Sequence, residues 1–352
     1  GHFVESDYEN ALIAFLEREG WQYLFGDSIK RANRKEVLNM DDLLQFLKDN
    51  NKNVKDEELQ RIADNVRLVG ADTDFATLHK VYKWMIDGIS AVNKKGEPVT
   101  VRLIDFEKID NNIFRVVNQF TVEYINNGVT KTRRPDVLLY VNGIPVCVIE
   151  LKNPADAKAT INDAWEQINI RYWRDIPGLL HYCPLACISD GVKTRLGTVR
   201  TPYEHFYAWR RVENGDKVST MPFDELETMV KGVYRPERFL EILRDYVYFQ
   251  DTNYDSDEKE VVCRYPQFFA TRLLRESVIK SVKTKSGKGG TYFGATGCGK
   301  TYTMAFLARQ LSMRCSAEIG SPTILMIVDR EDLQKQGAKV FTKSTEFMGI
   351  GE

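Results

Sequence analysis

Three charged residues lie at the two ends of one apolar stretch, residues 133–154, which reads RRPDVLLYVNGIPVCVIELKNP. Asp136 is near its start, and Glu150 and Lys152 are near its end. Burying a charge without a partner costs much free energy, so such charges are either solvated at strand ends or kept because they do chemistry. Two carboxylates beside one ammonium are the groups that phosphodiester hydrolysis needs.

The geometry of a hairpin decides whether these groups can meet. An Asn-Gly pair at 142–143 is a strong turn signal between two strands. A plain two-residue turn would pair Asp136 with Ile149 and place Asp136 on the wrong face of the sheet. We therefore predict a three-residue loop, or a bulge near Pro145, that brings Asp136 level with Glu150.

The side chains of this hairpin are suited to a magnesium site. Glu150 and Lys152 are two apart on a strand, so both point to one face. Carboxylate oxygens of Asp136 and Glu150 are ligands that suit Mg²⁺, which keeps several waters and can activate one of them. Lys152 could orient that water or stabilise the charge that develops on a phosphate.

The pattern of Pro135, Asp136, Glu150 and Lys152 resembles the PD-(D/E)xK nuclease motif. A short motif can match by chance, and the alternative is a hairpin with solvated ends. The neighbouring sequence supports the nuclease interpretation, because nearly all of residues 1–210 resembles the N-terminal nuclease domain of type I restriction enzyme motor subunits, the HsdR family. The stretches that carry this resemblance are 101–124, the hairpin itself, 150–168 and 187–197.

The resemblance extends to two further candidate catalytic positions. Such nucleases often carry Q-x-x-x-Y on the helix after the E-x-K strand, but here Tyr172 follows Gln167 by five residues. Either the helix contains a one-residue bulge or Tyr172 does not have the family role. Glu9 matches a glutamate that these nucleases place near the metal on their first helix. Ser6 and Glu9 also fit a helix capping box, so both interpretations stay open.

A second motif, GATGCGKT at 294–301, fits the phosphate-binding loop G-x-x-x-x-G-K-[ST] completely. A short strand at 291–293 and a helix after the loop would give it the required context. Lys300 would reach the β- and γ-phosphates of ATP, and Thr301 would ligate Mg²⁺. The predicted nucleotide-binding residues of the loop are Gly294, Thr296, Gly297, Cys298, Gly299, Lys300 and Thr301.

Gln267, upstream of the loop, resembles the glutamine with which superfamily 2 helicases and translocases read the adenine edge. The alternative is a glutamine that starts a helix after Pro266. Downstream, residues 323–328 form an apolar strand candidate, but no later Asp-Glu pair or arginine finger follows. The chain therefore resembles a fragment, which we expect not to hydrolyse ATP efficiently by itself.

These patterns predict an α/β protein with two domains and a connector. Helical periodicity over 5–19 and 36–92 precedes strand patterns from about residue 99. We predict a restriction-endonuclease-like central mixed sheet flanked by helices, followed by the beginning of a RecA-like P-loop domain. The predicted boundaries are 1–230 for the nuclease domain, 231–262 for a connecting segment and 263–352 for the truncated motor domain.

Composition limits where the chain could bind its partners. The formal net charge of −1 excludes a generally basic protein, so any DNA contact must come from local patches such as KTRR at 131–134. No apolar run approaches the roughly 20 residues of a membrane span, which predicts no membrane partner. Six scattered cysteines without a C-x-x-C pair favour a reducing cytoplasm.

The resemblance implies a Mg²⁺-dependent endonuclease for double-stranded DNA, coupled in the intact protein to ATP-driven translocation. It also implies that separate methyltransferase and specificity subunits read the target sequence, which fits the absence of a base-reading motif here. Another helicase-nuclease of DNA repair or restriction is one alternative. A catalytically inactive module that binds DNA or a partner is another.

Overall fold

The computed structural model of the chain describes residues 5–153, 159–218, 221, 224–250, 258–327, 340–341 and 347. The chain divides into two compact units, Gly1–Glu241 and Ile242–Glu352. The predicted connecting segment, 231–262, falls across this division. Among the described residues, no helix has the length and apolar character needed to cross a membrane.

The first unit alternates helices with strands. Its first half contains, in chain order, α1 (Glu5–Arg18), β1 (Gln22–Phe25), α2 (Met40–Asn50), α3 (Asp56–Arg67), α4 (Asp74–Asp87), β2 (Ile89–Val92), β3 (Pro98–Val101), β4 (Phe114–Asn118), β5 (Val122–Asn126), β6 (Val129–Arg133), β7 (Val137–Val141) and β8 (Ile144–Leu151). There follow α5 (Ile161–Glu166), a π-helical turn (Gln167–Tyr172), α6 (Trp173–Asp175), α7 (Pro177–Leu180), β9 (Leu185–Ser189), β10 (Thr194–Gly197), α8 (Asp224–Met229), a second π-helical turn (Val230–Tyr234) and α9 (Pro236–Asp245), which continues past the division after Glu241. Short 3-10 turns lie at Gly26–Ser28, Ile109–Asn111 and Tyr203–His205.

Six strands form one mixed sheet in the order β1-β4-β7-β8-β9-β10. Strand β1 is parallel to β4 and β8 is parallel to β9, whereas the other neighbours are antiparallel. The two central strands, β7 and β8, are buried at every position, as their unbroken apolar sequence predicts. Helix α1 packs against β1, β4 and β8, and α5 packs against β8 and β9. The predicted mixed sheet flanked by helices is thus confirmed.

The strand pattern from about residue 99 is confirmed over 113–125, where the structure has two strands that belong to different sheets. Gln119 has a φ of 52°, and this left-handed residue ends β4 after Asn118. The chain resumes as β5, which pairs with β6 in a separate two-stranded ribbon. Strands β2 and β3 likewise pair only with each other.

The hairpin of β7 and β8 has a two-residue turn and a bulge. Val141 pairs with Ile144 across the turn, and the register then shifts so that Val146 has no partner. Beyond the shift Val137 pairs with Ile149, which brings Asp136 opposite Glu150. The predicted three-residue loop is therefore wrong, and the alternative bulge near Pro145 is confirmed.

The turn of this hairpin is held inside the protein. Asn142 and Gly143 have φ angles of 50° and 78°, the values of a type I′ turn. The fully buried Asn142 amide donates to the Leu103 carbonyl at 2.9 Å, and its side-chain oxygen accepts from the Ile113 N–H at 2.7 Å. The Gly143 carbonyl accepts from the Asn39 N–H at 2.9 Å. These bonds fix the register of both strands from the end opposite to Asp136.

The second unit has β11 (Val247–Phe249), β12 (Glu260–Val262), α10 (Tyr265–Thr284), α11 (Lys300–Met313) and α12 (Ser316–Ile319). The strands predicted at 291–293 and 323–328 are wrong over the described residues, which include all of these positions except 328. Phe293, Leu325 and Ile327 are 94%, 80% and 84% exposed. A parallel strand is stable when neighbouring strands and helices cover it, and the described part of this unit pairs only β11 with β12. The predicted RecA-like sheet is therefore not confirmed.

Replacing Gly143 by Ala is expected to destabilise the first unit by about 3 kcal/mol or more. A Cβ there would lie 2.1 Å from the Asn39 carbonyl oxygen, in addition to the cost of a left-handed alanine. Gly128 is the matched control, because it follows Asn127 in a turn with a φ of 74° and has open space around its Cβ position. Urea unfolding should give Gly128→Ala a loss of only about 1–2 kcal/mol. Equal losses in both variants would contradict the buried turn.

Candidate active site

The carboxyl groups of Asp136 and Glu150 lie side by side at the end of the β7–β8 hairpin. The Leu151 N–H donates to Asp136 Oδ2 at 2.7 Å, and the Asp136 N–H lies 3.4 Å from Glu150 Oε1. The two side chains are within hydrogen-bonding reach of each other. Since the bulge at Val146 sets this alignment, the sequence-predicted pair is brought together by one inserted residue.

Glu150 is a buried acid whose charge is poorly compensated. Only 2% of the residue is exposed. Burial raises the pKa of Glu150 well above its usual 4.5, and repulsion by Asp136 raises it further. A hydrogen bond from Tyr172 and the positive charge of Lys152 act in the opposite direction. The site therefore has an excess of negative charge that a cation would relieve.

A π-helical turn brings Tyr172 to this pair. The turn spans Gln167–Tyr172, and its wider winding accommodates the extra residue that separates Tyr172 from Gln167. The Tyr172 hydroxyl donates to Glu150 Oε1 at 2.5 Å and is within hydrogen-bonding reach of Gln167. Burial, followed by the negative charge of Glu150, raises the pKa of Tyr172 well above its usual 10.0, so it stays a donor. Of the two possibilities for this helix, the structure has the one-residue bulge.

Lys152 lies just beyond the end of β8 and is partly exposed. Its backbone N–H donates to the Ser189 carbonyl at 2.8 Å, which extends the pairing of β8 with β9 by one residue. Its ammonium is close enough to lower the pKa of both Glu150 and Asp163. Lys152 is thus a partly solvated cation beside the buried Glu150 and the partly exposed Asp136.

Glu9 is held by the end of β4, and it does not cap its helix through Ser6. Helix α1 already includes Glu5, so Ser6 lies inside the helix and the capping-box interpretation is wrong. Glu9 Oε1 instead accepts from the Asn118 amide at 2.6 Å and from the Gln119 amide at 3.4 Å. Asn118 pairs with Val137, the residue after Asp136. Its contact with Glu9 could not be found from the sequence, because nothing in the pattern links residues 109 positions apart.

The donor set fits a divalent cation that retains water. Within the described parts of the chain, no group of three or more His, Cys, Asp and Glu side chains is arranged to hold a metal ion. Asp136 and Glu150 supply two hard carboxylates, and Mg²⁺ commonly binds through one or two carboxylates with waters in its other positions. Burial and then the repulsion by Asp136 raise the pKa of Glu150, and such a cation would offset both effects.

In the second unit, the loop predicted to bind phosphate leads directly into α11. Gly297 and Gly299 have φ angles of 80° and 81°, which a side chain rarely adopts. The Lys300 ammonium donates to the carbonyl oxygens of Gly294 and Ala295 at 2.7 and 3.2 Å. Thr301 is in the first turn of α11. The helix after the loop begins where it was predicted, whereas the strand before the loop is not formed, and phosphate binding by the loop stays a prediction.

Gln267 braces the start of α10 against this loop. Its Oε1 accepts from the Arg264 N–H at 2.8 Å, and its Nε2 donates to the Gly299 and Cys298 carbonyls at 3.0 and 3.4 Å. The residue is only 3% exposed. The contact with Arg264 is the one expected of a glutamine that starts a helix. The contacts with Cys298 and Gly299 connect this helix start to the loop. Contact with adenine stays a prediction.

Comparison with known proteins relates both units to restriction enzymes. A family model described as type I restriction enzyme R protein N terminus matches residues 2–205, and a SWI2/SNF2 ATPase model matches residues 266–349. The type I restriction enzyme HindI endonuclease subunit of Haemophilus influenzae is 27% identical over 356 residues, covering 98% of this chain and 33% of the relative. The MjaIXP type I restriction enzyme endonuclease subunit of Methanocaldococcus jannaschii is 29% identical over 370 residues, covering 96% and 34%. The chain thus spans about a third of the length of these relatives.

Replacing Glu150 by Gln is expected to stabilise the metal-free protein, by an amount that grows as the pH rises. The folded protein binds the Glu150 proton more tightly than the unfolded chain does, because folding raises its pKa above 4.5. The wild type therefore loses stability as the pH rises from 4.5 through the raised value, whereas Gln has no proton to lose. Urea unfolding in EDTA at about pH 5 and about pH 8 measures this difference.

The exposed Glu57, in the first turn of α3, provides the matched carboxylate-to-amide control. A stability difference between wild type and Glu150→Gln that is the same at both pH values would contradict the raised pKa of Glu150.

Proposed function

Because the chain belongs to the family of type I restriction enzyme R proteins, matched at their N terminus, we propose that it is a Mg²⁺-dependent nuclease for double-stranded DNA. In the complete protein it would act as the restriction subunit of a type I restriction-modification system. The observation that carries this proposal is the pair of the partly exposed Asp136 and the buried Glu150, which the Val146 bulge aligns beside Lys152 and Tyr172.

Each side chain of the site has a distinct task in phosphodiester cleavage. Asp136 and Glu150 would hold Mg²⁺, which supplies positive charge and an acidified water when bound. Tyr172 keeps Glu150 Oε1 in place through its 2.5 Å hydrogen bond, and Gln167 supports Tyr172. The Lys152 ammonium, which is partly exposed, stabilises the charge that develops on the phosphate as the water attacks.

Glu9 and Asn118 lie at the same end of the sheet as Asp136. The Asn118 amide, next to β7 in the sheet, orients the Glu9 carboxylate by a 2.6 Å hydrogen bond. A carboxylate held in this way can bind a water of the hydrated cation without ligating the cation itself. Glu9 is therefore assigned a supporting role.

Replacing either Glu150 or Lys152 by Ala is expected to lower plasmid nicking in Mg²⁺ by about 100-fold or more, because each removes a charge that acts on the reacting phosphate. Tyr172→Phe is expected to lower it by about 10- to 100-fold, since Glu150 loses its support. Initial rates of conversion of supercoiled to open-circular plasmid measure these effects.

Glu57→Ala and Lys55→Ala are matched controls at exposed positions at the start of α3, and they should nick DNA at the wild-type rate. The unfolding midpoint of each variant separates loss of fold from loss of chemistry. Undiminished nicking by folded Glu150→Ala and Lys152→Ala would overturn the assignment of these residues.

For the second unit we propose ATP binding, which in the longer protein would drive translocation along DNA. The loop at 294–301, its position before α11 and the match to a SWI2/SNF2 ATPase support this proposal. Lys300 would exchange its bonds to the Gly294 and Ala295 carbonyls for phosphate oxygens. Methyltransferase and specificity subunits are the proposed partners, since the relatives are named as subunits.

Lys300→Ala is expected to abolish ATP binding to this chain, because no other cation of the loop can replace its contacts to the phosphates. Equilibrium titration with a fluorescent ATP analogue in Mg²⁺ measures the affinity. Lys288→Ala, an exposed lysine upstream of the loop, is the matched control and should bind as the wild type does. Unchanged affinity of Lys300→Ala would contradict the proposed loop.

A helicase-nuclease of DNA repair and an inactive binding module remain the alternative functions. The inactive module is the easier to test, because it predicts that the chain binds DNA without nicking it in Mg²⁺. The hydrogen-bonded Tyr172 and the adjacent carboxylates favour the nuclease, since a site without chemistry has no need of a buried acid that a second acid repels.

A further inference from the structure

An exposed two-stranded ribbon leads directly into the candidate active site. Strands β5 and β6 pair over their full length and are joined by a tight Asn127-Gly128 turn. Residues 129–132 of β6 are exposed throughout. Only Arg134 and Pro135 separate the end of β6 from Asp136. A molecule that binds to β6 would therefore lie close to the carboxylate pair.

The base of the ribbon is firmly anchored. The Arg133 guanidinium bonds to the carboxylate of Asp175 at 2.6 and 2.8 Å, and Asp175 lies three residues after Tyr172. Hydrogen bonds from Arg174 and then Arg133 lower the pKa of Asp175 to about 2, so this ion pair persists at neutral pH. The ion pair of Arg133 with Asp175 joins the strand that leads to Asp136 with the helix that carries Tyr172.

The loop before α2 is anchored to the same ribbon. The Arg34 carbonyl accepts from the Glu123 N–H at 3.0 Å. Arg31 donates to the Thr121 carbonyl at 2.8 Å, and its guanidinium lies 4.1 Å from the centre of the Phe120 ring. The loop and the ribbon therefore present one continuous surface.

This surface carries a local excess of positive charge. The nearby acids are already matched, since Asp27 pairs with Arg31, Glu36 with Arg67, and Asp175 with Arg133. Glu123 is the remaining acid of the ribbon. The exposed cations of the loop and ribbon, for which the described residues provide no ion pair, are Lys30, Arg34, Lys35, Lys131 and Arg134.

The spacing of the ribbon's cations suits a chain of phosphates. Lys131 and Arg134 are three residues apart in nearly extended chain, which is about 10 Å. Arg134 follows the end of β6 and so lies outside the alternation of the strand, and the two long side chains can contact different phosphates of the DNA backbone. Contacts of this kind give affinity and position without reading the base sequence.

We propose that the ribbon of β5 and β6, with the adjoining loop at 30–35, binds the backbone of double-stranded DNA and places a phosphate next to Asp136 and Glu150. Lys131 and Arg134 make the contacts nearest to the site, while Arg133 positions the ribbon through Asp175. This proposal rests on the nuclease function proposed above and adds to it the surface that holds the substrate.

The test is the salt dependence of DNA binding by a Lys131→Ala/Arg134→Ala double variant of the 352-residue chain. Binding of a fluorescent double-stranded DNA of arbitrary sequence is measured by anisotropy in EDTA, where no cleavage occurs, between about 50 and about 200 mM salt. Losing two phosphate contacts should reduce the slope of log affinity against log salt by about 2. Between those salt concentrations, the variant should lose about tenfold less affinity than the wild type does.

Lys95→Ala/Lys108→Ala is the matched control. It removes the same charge, and Lys95 lies in the exposed turn between β2 and β3. A wild-type slope in the control with a reduced slope in the ribbon variant supports the proposal. A wild-type slope in the ribbon variant, equal reductions in both variants, or no measurable binding by the wild type would each overturn it.

Glu150→Ala separates this proposal from the proposed nuclease function. It should bind DNA with the wild-type slope while losing nicking in Mg²⁺. If the wild type binds through the ribbon but does not nick, the nuclease function fails and the DNA-binding surface stands. If the wild type nicks DNA and the ribbon variant binds DNA with the wild-type slope, the proposed DNA-binding surface is wrong and the nuclease function stands.

Discussion

The register of the β7–β8 hairpin is the constraint on which the rest of the site depends. Side chains alternate between the two faces of a strand, so a shift of one residue would move Asp136 away from Glu150. The buried turn at Asn142 sets the pairing from one end, and the bulge at Val146 corrects it by one residue before the other end. Both strands are apolar and buried on both faces, so their pattern alone does not select the register, and the turn and the bulge must fix it.

The same device of one inserted residue occurs twice around the carboxylate pair. The bulge in β8 aligns Glu150 with Asp136, and the π-helical turn aligns Tyr172 with Glu150. Bulges and π-turns disturb regular hydrogen bonding, so they persist where the surrounding structure or the function requires them. Here they allow Glu150, whose charged form is disfavoured by burial, to accept a hydrogen bond from Tyr172 at 2.5 Å.

Sequence patterns predicted the features that depend on residues close together in the chain. The central strands, the need for a bulge near Pro145 and the loop before α11 all follow from local pattern and turn geometry. The contact of Glu9 with Asn118 did not, because a capping signature explained Glu9 equally well until its partner was known. The strand expected at 323–328 failed for a related reason. Its apolar sequence is necessary for a buried strand, but only neighbouring strands make it one.

Charge explains why the proposed nuclease site would need cations close by. Two carboxylates would repel a DNA phosphate, and the chain as a whole, with a net charge of −1, offers DNA no general attraction. Lys152 offsets part of this repulsion from within the site, and a bound divalent cation would offset more. Lys131 and Arg134, the exposed cations of the ribbon, would act just outside the site. The structural ion pair is made by Arg133 with Asp175, which leaves Lys131 and Arg134 available for the substrate. Positioning of the ribbon and attraction of the substrate are thus assigned to different residues of one short segment.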